Sequence, residues 1–304
     1  MTIRLDGQVA IVTGAGAGLG RSHAHALAAR GAKVVVNDLG SRVGGPGPLS
    51  GGAQEVAVEI EAAGGTAIAI EANVADFRQI QRMVNETLDA WGRVDILINN
   101  AGNLRDKSFA KMTLEDFQAV IDVHLAGSFN CIRNVWNVMR EQQYGRIVMT
   151  TSSSGLYGNF GQANYGAAKM ALIGLMNTLT LEGRKHDIRV NALGPGAMTQ
   201  MTEGLIPEDI ARLLRVEPVS QAMIALCQPD APSNCILNAQ VGSYSVSRLV
   251  ESAGTWLPES EQTAEGIVKN WDKIADPKNE QAMANISEHM TKMLALASNA
   301  KQAG

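Results

Sequence analysis

The sequence has few cysteines, no excess of basic charge and no long apolar run, and each of these lacks removes a class of protein. Of 304 residues only three are cysteine, Cys131, Cys227 and Cys235. An odd number without C-x-x-C or metal-ligand spacing gives no disulfide framework and no expected metal site. It fits a reducing compartment, so the cytoplasm is the expected location. Lys and Arg number 26 against 30 Asp and Glu, for a net charge of −4. Without a basic field to attract phosphate backbones, the chain is not expected to bind nucleic acid. No run approaches the roughly 18 apolar residues of a membrane span, and no membrane association is expected. The first eight residues carry Arg4 and Asp6 and lead straight into a strand-like segment, which argues against a signal peptide. The last four, Lys301-Gln302-Ala303-Gly304, match no peroxisomal or reticulum-retention address.

What is present suffices for a large core, with 45% hydrophobic and 18% charged residues. Short β-branched runs at 9–13, 33–38, 67–72, 95–99, 146–152 and 188–192 alternate with helical patterns at 19–30, 53–63, 78–91, 114–141 and 165–184. Runs such as Val34-Val35-Val36 and Ile96-Leu97-Ile98 are apolar at consecutive positions, as expected of strands covered on both faces. The fold class this predicts is α/β, a doubly wound parallel sheet of Rossmann type. Beyond it, helix-like segments at 263–275 and 278–297 are split by Asp276-Pro277. They predict a catalytic domain over 1–255 and a helical C-terminal extension over 256–304. Met283, Ile286, Met290, Met293 and Leu294 recur at helical spacing, a stripe expected to be covered by the core or by a second subunit.

Two stretches break the rhythm. Residues 40–52 hold six glycines, two prolines and two serines, the composition of a surface loop, or of a flap beside a cofactor's adenosine end. Residues 194–221, opening with Gly194-Pro195-Gly196, read as irregular and as the place for a substrate lid.

After the first strand come Gly14, Gly16, Gly18, Leu19 and Gly20, opening a helix. Missing β-carbons let backbone approach a pyrophosphate, whose charge is favoured at a helix N-terminus. Asp38 ends the second strand eighteen residues after Gly20, where a carboxylate accepts hydrogen bonds from ribose hydroxyls and repels a 2′-phosphate. NAD is therefore the expected cofactor, with Arg21 and Arg42 as the nearby charges that argue for NADP. Tyr165 and Lys169 stand four apart on a helix and share a face. An adjacent ammonium is expected to lower the phenol's pKa and make Tyr165 a usable base. Ser152, thirteen residues before Tyr165 at a strand end, can hold a substrate oxygen against it.

Thr13-Gly14-x-x-x-Gly18-x-Gly20, Asp38, Asn99-Asn100-Ala101-Gly102, Ser152 and Tyr165-x-x-x-Lys169 together resemble the short-chain dehydrogenase/reductase family. The resemblance implies catalytic roles for Ser152, Tyr165 and Lys169. It also implies that Asn73 and Val74 line the adenine pocket, that Asn100, Ala101 and Gly102 hold the cofactor, that Lys169 binds the nicotinamide ribose, and that Pro195 and Gly196 flank the nicotinamide. His124 stands where much of the family carries an asparagine of a proton relay. Its reading, structural or relay, is open, and it is left outside the catalytic set. Family members often pair through helices like those at 114–141 and 165–184, so a homodimer or homotetramer is expected.

A narrower resemblance, to the hydroxyacyl-CoA dehydrogenase parts of peroxisomal multifunctional β-oxidation enzymes, rests on three segments. These are Val36-Asn37-Asp38-Leu39-Gly40, the run from His124 to Phe129, and the run from Tyr157 to Tyr165. It implies hydride transfer between NAD and a small-molecule secondary alcohol, most simply a 3-hydroxyacyl-CoA, with a hydroxysteroid as the alternative. A non-catalytic NAD-sensing protein is a third reading, but a sensor does not require Ser152, Tyr165 and Lys169 at catalytic spacing.

Overall fold

The computed structural model describes residues 2–40, 52–197 and 213–303, the side chains of 299–303 excepted. Most of the glycine-rich stretch at 40–52, with Arg42, lies outside the described residues, as does the 198–212 part of the stretch read as a lid.

The consecutive apolar runs form a sheet in the order β3-β2-β1-β4-β5-β6-β7-β8. Its first six strands are β1 (Val9–Thr13), β2 (Lys33–Asp38), β3 (Thr66–Glu71), β4 (Ile96–Asn99), β5 (Gly145–Thr150) and β6 (Ile188–Gly196). All six are paired in parallel, as is β7 (Ile236–Gln240) against β6. The helices between them are α1 (Gly18–Ala28), α2 (Gly52–Ala62), α3 (Phe77–Trp91), α4 (Leu114–Ile121), α5 (Gly127–Gln142), α6 (Ser153–Tyr157), α7 (Ala163–Gly183) and α8 (Val216–Cys227). Strand side chains alternate between two cores. Ala10, Val12, Val34, Val36, Ile96 and Ile98 meet α1, α2 and α8 on one face. Ile11, Val35, Leu97, Ile147 and Met149 meet α3, α5 and α7 on the other. Full burial of one such side chain contributes about 1.5–3 kcal/mol, so both faces of the strands contribute to stability. The order of the strands reverses between β1 and β4, which opens a crevice at their carboxyl ends.

At the opposite end of the sheet one buried side chain gathers several segments. Arg146, fully buried at the start of β5, donates to the carbonyl oxygens of Gly145, Asp187, Gln228 and Pro229 and pairs with the Asp187 carboxylate at 3.0 Å. Its guanidinium lies 4.1 Å over the Tyr144 ring.

Several boundaries depart from the sequence reading. Two further strands, β7 and β8 (Ser243–Ser247), join the expected six. β6 runs on through Gly194-Pro195-Gly196, and α8 occupies 216–227, so the stretch 194–221 is ordered at both ends. Pro218 is tolerated there because it sits in the first turn of α8, where an N–H has no intrahelical partner. The segment 114–141 is not one regular helix: a π-helical turn at Asp122–Ala126 separates α4 from α5.

Contacts divide the chain into two compact units, Met1–Val246 and Ser247–Gly304. The second contains α9 (Ala264–Lys269), α10 (Trp271–Ile274) and α11 (Ile286–Ala303). The helix read at 263–275 breaks at Asn270, whose Nδ2 donates to Gly266 O at 2.9 Å and to Glu261 Oε2 at 3.0 Å. The one read at 278–297 starts only at 286, because Asn285 Oδ1 caps it by accepting the Glu288 amide. Glu251 ties into α11 through His289 at 3.1 Å and Lys292 at 3.2 Å. Ile286, Met290, Met293 and Leu294 are exposed.

Candidate active site

The turn between β1 and α1 is built by its glycines. Gly14 adopts a left-handed φ of 62°, and a β-carbon there would stand 2.7 Å from Ala101 Cα. One on Gly20 would stand 2.6 Å from Asn100 Nδ2 and collide with the Gly14 carbonyl. Asn100 holds the turn, its Nδ2 donating to the carbonyls of Thr13 at 3.0 Å and Gly14 at 3.1 Å. Thr13 Oγ1 accepts the amides of Asn100 and Ala101, each at 3.0 Å. The N-cap of α1, Ala17, offers no side-chain cap, so the amides of Gly18, Leu19 and Gly20 face the crevice side uncapped. Asp38 accepts the Gly16 amide at 2.9 Å and the Gly40 amide at 2.8 Å, which fixes its carboxylate beside the turn. Arg21 turns the other way and pairs with Glu59 at 2.6 Å.

Asn73 and Val74 follow β3. Asn73 Oδ1 accepts the Ala75 amide at 3.0 Å, and the Val74 carbonyl accepts Asn130 Nδ2 at 2.9 Å. Pro195 and Gly196 close β6, half-buried. These residues lie at the carboxyl ends of the strands, as does Gly102. A surface groove between the far ends of α5 and α7, lined by Trp136, Arg140, Leu181 and Lys185, opens at the other end of the strands and holds none of them.

Ser152 follows β5 and caps α6, its Oγ accepting the Ser154 amide at 3.1 Å. The Tyr165 phenol lies near enough to the Ser152 hydroxyl for that group to act on its ionisation. Lys169, one helical turn after Tyr165, is buried, and its Nζ lies 5.5 Å from the centroid of the Tyr165 ring. The three residues singled out for chemistry thus converge. Their electrostatics differ from expectation, however. Burial pushes the Tyr165 phenol above its ordinary pKa, with the nearby Ser152 hydroxyl pulling it down and Asp106 pushing it up. Burial also lowers the Lys169 ammonium to about 7. The expected lowering of the phenol by its lysine is not found in the protein alone, because the same burial acts against both charged forms.

Sequence reasoning left His124 open. It is buried in the π-helical turn, and its ring stands 5.1 Å from that of Tyr165 at 88°. Its Nε2 lies 2.9 Å from Asn103 O, and its Nδ1 is buried without a partner. No spacing rule finds this contact, since 41 residues separate the two rings.

A crevice where the strand order reverses, with a glycine turn and a fixed carboxylate beside it, is the arrangement of a nucleotide-binding α/β protein. Comparison with known proteins narrows the class. The model of the short chain dehydrogenase family matches residues 8–209, and the chain belongs to that family, an enzyme family whose members use NAD(P). It is 43% identical over 290 residues to peroxisomal multifunctional enzyme type 2 of Mus musculus, covering 94% of this chain and 39% of that protein. It is 44% identical over 304 residues to peroxisomal multifunctional enzyme A of Dictyostelium discoideum, covering 100% of this chain and 68% of that one. The structure of full-length peroxisomal multifunctional enzyme type 2 from Drosophila melanogaster superposes with a TM-score of 0.81 at 34% identity, over 98% of this chain and 50% of that chain. The chain therefore spans less than half of the mouse relative and half of the fly one. Among the described residues, no helix is long and apolar enough to cross a membrane.

Proposed function

We propose that this chain interconverts a secondary alcohol and its ketone with NAD, and that the substrate is a 3-hydroxyacyl-CoA. The observation that carries the reading is the convergence of Ser152, Tyr165 and Lys169, with the Lys169 amine 5.5 Å from the centroid of the Tyr165 ring, at the end of the sheet where the glycine cradle opens. Gly14, Gly18, Leu19 and Gly20 fit a pyrophosphate, since the tight turn they make, which β-carbons on Gly14 and Gly20 would force apart against Ala101, Asn100 and the Gly14 carbonyl, leads into an uncapped helix N-terminus. Asp38 would hold the adenosine ribose, Asn73 and Val74 the adenine, and Asn100, Ala101 and Gly102 the body of the dinucleotide. Lys169 would hold the second ribose, with Pro195 and Gly196 beside the nicotinamide. Bound there, NAD supplies the hydride acceptor and a positively charged ring.

In the oxidation direction, Ser152 holds the alcohol oxygen and the Tyr165 oxygen takes its proton, for which the phenol must first give up the proton that burial favours on it. In reduction the Tyr165 hydroxyl returns the proton to the ketone oxygen. A fixed carboxylate at Asp38 and the diversion of Arg21 to Glu59 favour NAD over its 2′-phosphorylated form. The choice of acyl-CoA over a steroid alcohol rests on the resemblance of the segments around Asp38, His124 and Tyr157–Tyr165 to hydroxyacyl-CoA dehydrogenase parts.

The proposal includes a catalytic domain over 1–255 with an extension over 256–304. It also includes self-association, with the exposed Phe129 and Leu181 on α5 and α7 as contacts, and the cytoplasm as location. Relatives named peroxisomal supply the competing address, decided by microscopy of the tagged chain. The functional test is a spectrophotometric screen of NAD and NADP against (3R)- and (3S)-hydroxyacyl-CoAs and steroid alcohols. Tyr165→Phe is expected to abolish turnover while NADH binding, read by fluorescence, changes less than about threefold. Full turnover by that variant, or turnover confined to steroids, overturns the assignment it addresses.

A further inference from the structure

We propose that His124 is a positioning residue for Tyr165, its imidazole serving as a rigid wall that fixes the χ1 rotamer of the phenol. The inference deepens the functional reading and rests on Tyr165 being the base. A tyrosine oxygen lies on the Cβ–Cγ axis, so rotation about χ2 leaves it in place and only χ1 moves it. A ring packed perpendicular to the phenol, 5.1 Å between centroids, obstructs χ1 rotation toward its side. The Ser152 hydroxyl stands near the phenol oxygen.

The wall is itself immobilised. His124 Nε2 sits between the Asn103 carbonyl at 2.9 Å and the Asn103 amide at 3.1 Å. Asn103 is in turn anchored through Nδ2 to Ala119 O at 2.9 Å. Behind the ring, a β-carbon on Gly102 would come within 2.6 Å of His124 Cε1, so only glycine leaves the ring its place. The π-helical turn Asp122–Ala126 contains this histidine, and Ser128 Oγ accommodates the widened turn by donating to the His124 carbonyl at 2.7 Å. Such turns recur at functional sites because they re-aim one side chain without ending the helix. Burial, with Lys169 nearby, keeps the imidazole neutral, which suits a packed wall.

Two near-isosteric variants separate the ring from its hydrogen bond. His124→Phe keeps the ring and loses the Asn103 contact, whereas His124→Gln keeps an amide able to reach Asn103 and loses the ring. With misplacement near 1 Å costing about a hundredfold, His124→Gln is expected to lower kcat about a hundredfold and His124→Phe less than about tenfold, with KM for NAD unchanged in both. A readout independent of turnover is the ring-labelled tyrosine NMR spectrum, in which Tyr165→Phe assigns one of four tyrosines. The Tyr165 signal is expected to stay single in His124→Phe and to split or broaden in His124→Gln. The proposal is overturned if His124→Gln equals or exceeds His124→Phe in kcat, or if the Tyr165 signal is the same in both. Because the NMR arm needs no substrate, it stands or falls apart from the choice of substrate. Turnover by Tyr165→Phe would instead sink the underlying assignment of the base.

Discussion

Lys169 donates its ammonium to the carbonyl oxygen of Thr150 at 2.5 Å, so the end of β5 tethers the amine one helical turn from Tyr165. A buried cation held by one neutral carbonyl is poorly compensated, and that is the physical origin of its lowered pKa.

Lys169→Met is accordingly expected to cost activity and not stability. We expect kcat to fall at least about a hundredfold while Tm at pH 7 stays equal or rises, because an apolar side chain of similar length removes the desolvation penalty. Between pH 7 and the unfolded value of 10.5, the unfolded chain binds this proton and the folded chain does not, so stability due to this group rises with pH. From pH 7 to pH 9 the parent should gain roughly 2 kcal/mol relative to the variant in urea melts. A parent and variant that respond alike to pH would mean that Lys169 keeps its charge when buried.

Asp38→Ala is expected to shift cofactor choice. Loss of a charged acceptor is worth about 1.5–3 kcal/mol, so kcat/KM with NAD should fall about 10- to 150-fold. The value with NADP should hold or rise as the repulsion disappears. The ratio of the two specificity constants reads the effect directly, and an unchanged ratio would remove Asp38 from the ribose site.

His23 predicts acid sensitivity unrelated to the chemistry. It is fully buried between α1 and α8, with Nδ1 2.8 Å from Ser220 Oγ, and burial lowers its pKa to about 3 from 6.5. As pH falls below 6.5, the unfolded chain takes up the proton and the folded chain refuses it, so stability declines. At pH 5 the loss is about 2 kcal/mol, and the buried His124, lowered in the same direction, adds to it. Denaturant midpoints at pH 7 and pH 5 should converge in His23→Asn relative to the parent; equal slopes would show His23 to be hydrated.

What the sequence made legible followed from short-range rules. The first two strands, Val9–Thr13 and Lys33–Asp38, are where their apolar runs placed them. Tyr165 and Lys169 meet because four residues make one helical turn. What escaped depends on distant partners. β7 carries Asn238 and Gln240 in five residues and gains strand character by pairing with β6 and β8. α8 was obscured by Pro218, whose place in a first turn is decided by where the helix begins. The ring contact of His124 comes from a π-helical turn that the uninterrupted helical pattern of 114–141 does not announce. The pKa values escaped for a similar reason, since burial is a property of the assembled core.

Arg146 divides the labour between the two ends of the sheet. One guanidinium, by gathering the chain where β5 and β6 begin and α8 ends, fastens the end of the sheet that carries no candidate site residue. Loops at the other end that neither touch Arg146 nor carry an assigned side chain can therefore be reshaped for a different alcohol while this anchorage stays as it is.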